Sequence, residues 1–484
     1  MTEMPGHRLD SGLRRLIVVI LLGGMMGILD GTMVAVGIDT LTVAFDASLS
    51  AIGWVSTGYL LALTLTIPVT TWAVDRFGGR RLWLAGLLVF LGGSLASGLA
   101  WNIGSLIVFR VVQGVGAGVV DPLVLTLLAR AAGPRRAARV MALMAGVLSL
   151  GPVLGPVVGG IVLEGLGWRW MFLINLPIGL VAFLGALRLA PRDPAPEPTA
   201  SRLDVIGVAL IAPGFTSLML ALSQAGERAA FTVWQVLAPL TVGAVLLIGY
   251  AVHALPTRRT PLLIDLRLFT RGGFAASVTV MGLTGLTMFS ALFALPLYYQ
   301  QAHGHGTLTA GLLVAPLGVS AAVAAPLAGR LADRFGAREI VRAGAVVAVI
   351  GALAFAGIGA RTQELWPTLA ALAVGAGLGL VGAATMGSLY RTLPPPLIPQ
   401  GSSVLYMLNQ FGASVGVAVV ALIVQTAGKA DVIRGLHGVY WFMTAAILII
   451  LAGTVLLPGR PGARPTAPAS GHETQTADLT LPGA

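Results

Sequence analysis

The chain has 484 residues, of which 56% are hydrophobic and 10% charged, with a formal net charge of +11 and no cysteine. A mean hydropathy of +0.89 excludes a soluble protein, because so apolar a chain has too little polar surface to cover itself in water. The missing thiols exclude disulfides and thiolate metal sites, and the basic residues form short clusters between apolar runs, not the continuous patch of a nucleic-acid binder.

Apolar runs of about 20 residues, enough to cross the hydrocarbon core of a bilayer, recur along nearly the whole chain. The first follows Arg14 and Arg15 and extends from Leu16 to about Ile38. A secretory signal has an apolar region of only about 7 to 15 residues and ends in a small-residue cleavage site, so this run predicts a spanning helix. Fourteen spans are predicted, near 16–38, 52–74, 82–100, 103–126, 138–163, 168–189, 204–223, 232–252, 273–296, 308–331, 340–359, 366–389, 403–426 and 438–457. The chain is therefore an all-α polytopic membrane protein. Counting residues at span ends with the adjoining loop, twenty-four of its thirty Lys and Arg residues fall at the termini and at every second loop, five fall at the opposite loops, and Arg110 lies well inside a span. Positive residues are retained in short cytoplasmic loops, which predicts both termini in the cytoplasm.

The hexapeptide Asp-Arg-Phe-Gly-x-Arg occurs after span two, from Asp75 to Arg80, and again after span ten, from Asp333 to Arg338. Its two copies lie 258 positions apart, and the same offset carries spans one to three onto spans nine to eleven. The expected organisation is a cytoplasmic N-terminus over 1–15, a six-helix bundle over 16–189 and a Pro-rich cytoplasmic linker over 190–203. An inserted helix pair over 204–252 and a linker over 253–272 follow. A second six-helix bundle over 273–457 precedes a disordered cytoplasmic tail over 458–484. Parallel halves around a cavity at mid-membrane describe a class of secondary transporter whose bundles rock against each other.

Of nineteen acidic residues only Asp30 and Asp121 lie well inside spans. A charge near the bilayer centre costs about 2.5–3.5 kcal/mol on insertion scales, so such groups face the bundle interior and have a use. Asp30 and Arg110 stand at nearly equal depth from the same membrane face, which predicts an ion pair between spans one and four. Asp30 reads as a proton carrier in preference to a purely structural partner, because an acid can exchange a guanidinium for a proton. Asp121 lies eleven residues beyond Arg110, on the same helical face and about 16 Å deeper. It reads equally as a second proton stop or as support for the helix end before Pro122.

These segments resemble the major facilitator superfamily, and within it the fourteen-helix drug:proton antiporters. The resemblance covers about residues 10 to 458. "LDGTMVAVGI", Leu29 to Ile38, is similar to the first-helix motif of that group, with Ala35 and Asp39 where the family usually has Asn and Pro. "RVVQGVGAG", Arg110 to Gly118, resembles the fourth-helix motif, and "GPVVGG", Gly155 to Gly160, the antiporter motif of the fifth. "WRWMFLINLPIG", Trp168 to Gly179, resembles the segment that follows. The resemblance implies the major facilitator fold, two six-helix bundles plus two inserted helices. It also implies a gate at the hexapeptides, formed by Asp75, Arg76, Arg80, Asp333, Arg334 and Arg338, with Asp75 near Gly401 to Ser403 and Asp333 near the start of span five. Positive-inside anchoring also accounts for part of this arginine content. Gly151, Gly155 and Gly159 recur every fourth residue and, with Pro156 and Gly160, read either as a close helix contact or as a gating hinge.

Candidate substrate contacts on spans that face the cavity in this superfamily are Met26, Tyr59, Gln113, Met288, Phe289, Phe293, Tyr406, Met407, Asn409 and Gln410. Methionine and aromatic side chains repack around varied lipophilic ligands. Tyr298, Tyr299, His303 and His305 read as an interfacial belt and loop. No Walker loop, no His-Glu-x-x-His and no cluster of His with carboxylates is visible, which disfavours an enzyme and a metal or organic cofactor. The implied function is export of lipophilic, often cationic drugs in exchange for protons by a monomer in a bacterial cytoplasmic membrane, with a dedicated exporter of one metabolite or self-made antibiotic as the alternative.

Overall fold

The computed structural model of the protein describes residues 11–132, 150–190, 203–228, 230–256, 264–270, 272–359, 362–392, 398–427 and 432–457, together with Asp193 and Leu262. The predicted N-terminus before residue 11, the start of span five, most of the Pro-rich linker and the tail from 458 lie outside these residues. So do the side chains of Asp75 and Asp333, and with them the proposed contacts of those two carboxylates.

All regular structure among the described residues is helical. In hydrocarbon every backbone N–H and C=O must find its partner within the segment, and a helix of Leu, Val, Ala and Gly achieves this while presenting apolar side chains to lipid. The first half contains α1 (Ser11–Val36), α2 (Ile38–Phe45), α3 (Leu49–Phe77), α4 (Gly79–Gly98), α5 (Ile103–Ala132), α6 (Gly151–Leu166), α7 (Trp170–Leu173) and α8 (Asn175–Leu189). The inserted pair is α9 (Val205–Arg228) and α10 (Trp234–Ala254). The second half contains α11 (Gly272–Leu297), α12 (Thr307–Phe335), α13 (Ala337–Ala356), α14 (Leu365–Thr392), α15 (Ile398–Ala427) and α16 (Val432–Gly453). Thirteen described helices, with α7 and α8 taken together as one, are long and apolar enough to span a membrane. The fourteenth span is α6, whose predicted beginning falls outside the described residues.

Three local features depart from the predicted spans. The first span stops at Val36 and the chain turns into the short helix α2, which Asp46 closes in the left-handed conformation at φ 46°. Span six is broken at Ile174 between α7 and α8. Span nine continues through a π-helical turn, Tyr298–Ala302. That turn buries Tyr298 and Tyr299 inside the protein, so neither belongs to a lipid-facing aromatic belt.

The repeated hexapeptide builds one turn twice. α3 ends at Phe77 and α4 begins at once after Gly78, while α12 ends at Phe335 and α13 begins after Gly336. Gly78 has φ 88° and ψ 150°, and Gly336 has φ 93° and ψ 148°, a region open to glycine and strained for other residues. The arginine two positions later is also used alike. Arg80 Nη2 donates to the Leu187 carbonyl at 2.6 Å, and Arg338 Nε donates to the Leu457 carbonyl at 2.8 Å. Arg80 thus satisfies a carbonyl in the last turn of α8, where a cation is favoured, and Arg338 satisfies the carbonyl of Leu457, which follows the 3-10 turn Thr454–Leu456 after α16.

The halves meet at the face opposite these turns, here the distal face. α3 lies along α15, with Ser50 N donating to Gln425 Oε1 at 2.8 Å and Ser414 Oγ donating to the Thr57 carbonyl at 3.3 Å. α6 lies along α12, and Gln300 and Gln301 reach from the π-helical turn to the Val36 carbonyl at 3.0 Å and Asp39 Oδ1 at 2.8 Å. α9 covers the α3–α15 seam from the side: Trp54 Nε1 donates to Ser223 Oγ at 2.7 Å, and Phe215 packs on Phe411 with ring centroids 4.2 Å apart. α10 packs on α9 and turns most of its surface outward.

Candidate functional site: a buried ion pair beside the seam

α1 and α5 run antiparallel, so residues at equal depth from the distal face can meet. The Arg110 guanidinium pairs through Nη1 with Asp30 Oδ2, and the residues are 0% and 1% exposed. The rest of the carboxylate is also occupied. Asp30 Oδ1 accepts from Gln113 Nε2 at 3.0 Å and from Asn175 Nδ2 at 2.8 Å. Ser94 Oγ stands beside both amides, at 3.2 Å from Gln113 Nε2 and 3.0 Å from Asn175 Nδ2, and donates to the Phe172 carbonyl at 2.7 Å.

Arg110 is held from several directions. Its Nε donates to the Val55 carbonyl at 3.0 Å and its Nη1 to Gln113 Oε1 at 2.8 Å, while Nη2 is buried without a hydrogen-bond partner. The Tyr59 ring lies 4.1 Å from the guanidinium carbon and the Phe172 ring 5.6 Å from it. A cation over an aromatic face gains up to about 2 kcal/mol when both are removed from water. Helices α1, α3, α4, α5, α7 and α8 thus converge on one charge pair, which opposite charge and hydrogen bonds together compensate for its desolvation.

The sequence did not point to Ser94 or Asn175. Asn175 lies within the quoted "WRWMFLINLPIG", and Ser94 is one small residue in a span rich in them, so neither carries a periodic or charge signal. Gln113, expected as a substrate contact, bridges Asp30 and Arg110.

Asp121 lies eleven residues beyond Arg110 on the unbroken helix α5. A Cβ on Gly27 would lie 2.8 Å from Asp121 Oδ1, so the carboxylate packs against α1 only three residues before Asp30. Three residues of α1, a rise of about 4.5 Å, separate this point of contact from Asp30. Tyr59 completes the link: its hydroxyl donates to the Gly27 carbonyl at 3.0 Å while its ring carries Arg110. On the other side, Asp121 Oδ2 accepts from the hydroxyl of Tyr406, on α15 of the second half, at 3.3 Å, and Oδ1 is buried without a hydrogen-bond partner. Asp30 and Arg110 are therefore enclosed in the first half, while Asp121 sits on the seam.

The remaining expected substrate contacts divide into two groups. Met26, Phe293 and Met407 are fully buried in helix packing: Met26 lies against Gly179 of α8, Phe293 belongs to the main core, and Met407 packs with α9, α10 and α11. Asn409 donates to the Met281 carbonyl at 2.9 Å, which ties α15 to α11. Met288, Phe289, Tyr406 and Gln410 are half-buried.

The glycine stripe of α6 has two functions. A Cβ on Gly151, Gly155 or Gly159 would strike Ile28, Thr32 or Met33, so these glycines seat α6 on α1 within the first half. Gly160 and Pro156 face the second half, where the Pro156 carbonyl touches Gly311 and a Cβ on Gly160 would meet Leu308 Cα at 2.7 Å. Arg76 and Arg334 are exposed, and Arg334 lies 5.2 Å from the Phe335 ring. The fold also creates a cluster that the sequence reading did not find, in which His303 and His305 lie beside Glu364.

The Major Facilitator Superfamily model matches residues 20–417, and again 278–480, so the chain belongs to the major facilitator superfamily. It is 38% identical over 419 residues to a protein named multidrug resistance protein B homolog from Mycobacterium tuberculosis, covering 86% of this chain and 77% of that one. It is 29% identical over 426 residues to lincomycin resistance protein LmrB of Listeria innocua, covering 88% and 89%. With the multidrug export protein EmrB of Escherichia coli it shares 32% identity over 325 residues, covering 67% and 63%. The fold is similar to a crystal structure of a D-xylose–proton symporter, with a TM-score of 0.68, 16% identity and coverage of 93% and 99%.

Proposed function

We propose that this protein is a proton-coupled antiporter that exports lipophilic, often cationic compounds across a bacterial cytoplasmic membrane by alternating access, with both termini in the cytoplasm. The observation that carries the reading is the Asp30–Arg110 pair, enclosed in one half within one turn of a second acid on the seam between halves. Relatives named for multidrug resistance and multidrug export support the substrate class.

In the proposed cycle, drug enters from the cytoplasm when the distal seam is closed, and the bundles then rock so that the cavity opens outward. A proton arriving from outside neutralises Asp30. The carboxyl then loses its attraction for Arg110, while Arg110 keeps the Val55 carbonyl, Gln113 and the Tyr59 ring. The freed guanidinium disfavours a cationic drug, which leaves outward. The return carries the proton inward, with Asp121 as the relay toward the cytoplasm. Each inward proton contributes about 2.3 kcal/mol per 100 mV of membrane potential. The hexapeptide arginines hold the ends of each bundle rigid as the halves move.

Purified protein in liposomes under an imposed pH gradient tests this reading, with several lipophilic cations and one neutral antibiotic as substrates. Uphill drug movement that collapses with the gradient is expected. Transport indifferent to the gradient would refute proton coupling, and transport of one compound alone would favour a dedicated exporter.

A further inference from the structure

The π-helical turn Tyr298–Ala302 is followed directly by His303 and His305, and the segment before α14 supplies Glu364. One ring nitrogen of each histidine and one oxygen of Glu364 all lie within 4.8 Å of one another. His305 Nε2 is already paired with Glu364 Oε1, and the rings of His303 and His305 stack with centroids 5.9 Å apart. His303 Nε2 stands 2.8 Å from the Tyr298 hydroxyl, which donates its own proton to the Gly359 carbonyl at 3.3 Å. The tyrosine oxygen therefore accepts from His303 Nε2–H, and the tautomer so selected leaves a bare lone pair on Nδ1. A histidine whose one nitrogen is held as a donor and whose other nitrogen is free is arranged as metal-bound histidines are.

We propose that His303, His305 and Glu364 form a zinc site on the distal face, with water in the fourth position. Bond lengths of about 2.0–2.2 Å in a tetrahedron place ligand atoms about 3.5 Å apart. The 4.8 Å spread closes by side-chain rotation, for which His305 and Glu364, 27% and 45% exposed, have room. Two imidazoles and one carboxylate suit zinc, whereas magnesium and calcium take oxygen ligands.

The position gives the site a consequence that rests on the transport reading above. The same π-helical turn carries Gln300 and Gln301, which latch onto Val36 and Asp39 of the other half. A metal joining residues 303 and 305 to Glu364 fixes this turn to its own half in the geometry that closes the seam. Zinc on that face therefore holds the distal seam shut and slows transport.

The test uses full-length protein in detergent, purified without a polyhistidine tag and titrated with zinc chloride by calorimetry, with magnesium chloride as the control. One equivalent of zinc bound, no response to magnesium, and at least about a tenfold loss of affinity in His303→Ala, His305→Ala and Glu364→Gln are expected. His253→Ala, near Asp204 outside the cluster, should bind as the parent does. Metal-free thermal unfolding shows whether each variant is folded. Absence of stoichiometric zinc binding, or variants that bind as tightly as the parent, overturns the site. In liposomes, zinc on the distal side should slow transport by the parent protein but not by His305→Ala. Zinc binding without this inhibition would keep the site and overturn the latch. The calorimetric result stands whether or not transport is proton-driven.

Discussion

The Tyr59 ring lies 4.1 Å from the guanidinium carbon of Arg110, while its hydroxyl, at the far end of the same ring, donates to the backbone of α1 at Gly27. One rigid side chain thus spans from the buried charge pair to the place where Asp121 touches α1. Its two contacts can be removed separately. Tyr59→Phe keeps the ring and loses one hydrogen bond, at about 1 kcal/mol. Tyr59→Ala also leaves a cavity under a buried cation, at about 3–5 kcal/mol. Thermal unfolding in detergent should rank the parent first, Phe close behind and Ala far below, and gradient-driven transport should survive in Phe alone of the two variants.

Asp30→Asn leaves Arg110 buried without its counter-charge, which costs about 3–5 kcal/mol. Lost transport in that variant therefore has two explanations. The double variant Asp30→Asn with Arg110→Gln removes both charges from the same enclosure, and the neighbouring Gln113 and Asn175 can still hydrogen-bond to the new amides. The double variant should recover most of the thermal stability lost by the single one and remain unable to couple drug movement to a pH gradient. Recovery of coupled transport together with stability would reduce the pair to scaffolding.

The structure separates what the sequence could show from what it could not. Hydropathy marked the spans because the bilayer imposes a length on each of them, and the two copies of Asp-Arg-Phe-Gly-x-Arg exposed the internal repeat because each needs glycine at Gly78 or Gly336. Equal depth sufficed to join Asp30 to Arg110, since a charge in hydrocarbon has few possible partners. Ser94 and Asn175 could not be found this way, because a serine or an asparagine is acceptable at many places and only the crossing of α4, α5 and α8 brings these two together. Depth along one helix does not name the partner of Asp121 on the other half, Tyr406, and membership of a cavity-facing span does not say that Met26 and Phe293 turn into helix packing. His303, His305 and Glu364 are joined only when the loops on either side of α12 and α13 are brought to one face.

Asp121→Asn breaks no ion pair, since the Asp121 contact with another side chain is the Tyr406 hydroxyl and its second oxygen has no hydrogen-bond partner. Stability should change by less than about 1 kcal/mol. If the carboxylate relays protons, the variant should bind drug with unchanged affinity and lose most of the rate increase that a pH gradient produces. Stopped-flow transport at several imposed gradients, paired with equilibrium drug binding, measures both. A variant that transports like its parent would leave Asp121 as a contact of the seam.

Gly160 offers a way to move the two halves without touching any charge. A Cβ there would meet Leu308 Cα at 2.7 Å and the Thr307 carbonyl oxygen at 2.7 Å, both backbone atoms of the other half, so neither can turn aside. Gly160→Ala must therefore separate α6 from α12 at the distal face, and the population should shift toward an open distal seam. The comparison is Gly151→Ala, whose Cβ would strike Ile28 of α1 within the same half and should leave the seam unaltered. Because the chain has no cysteine, spin labels can be placed through Val43→Cys and Trp366→Cys, two exposed positions on opposite halves of the distal face. Pulsed electron resonance should report a longer distance between the labels in Gly160→Ala and an unchanged one in Gly151→Ala. Equal distributions in both would mean that close packing at Gly160 does not set the balance between open and closed seams.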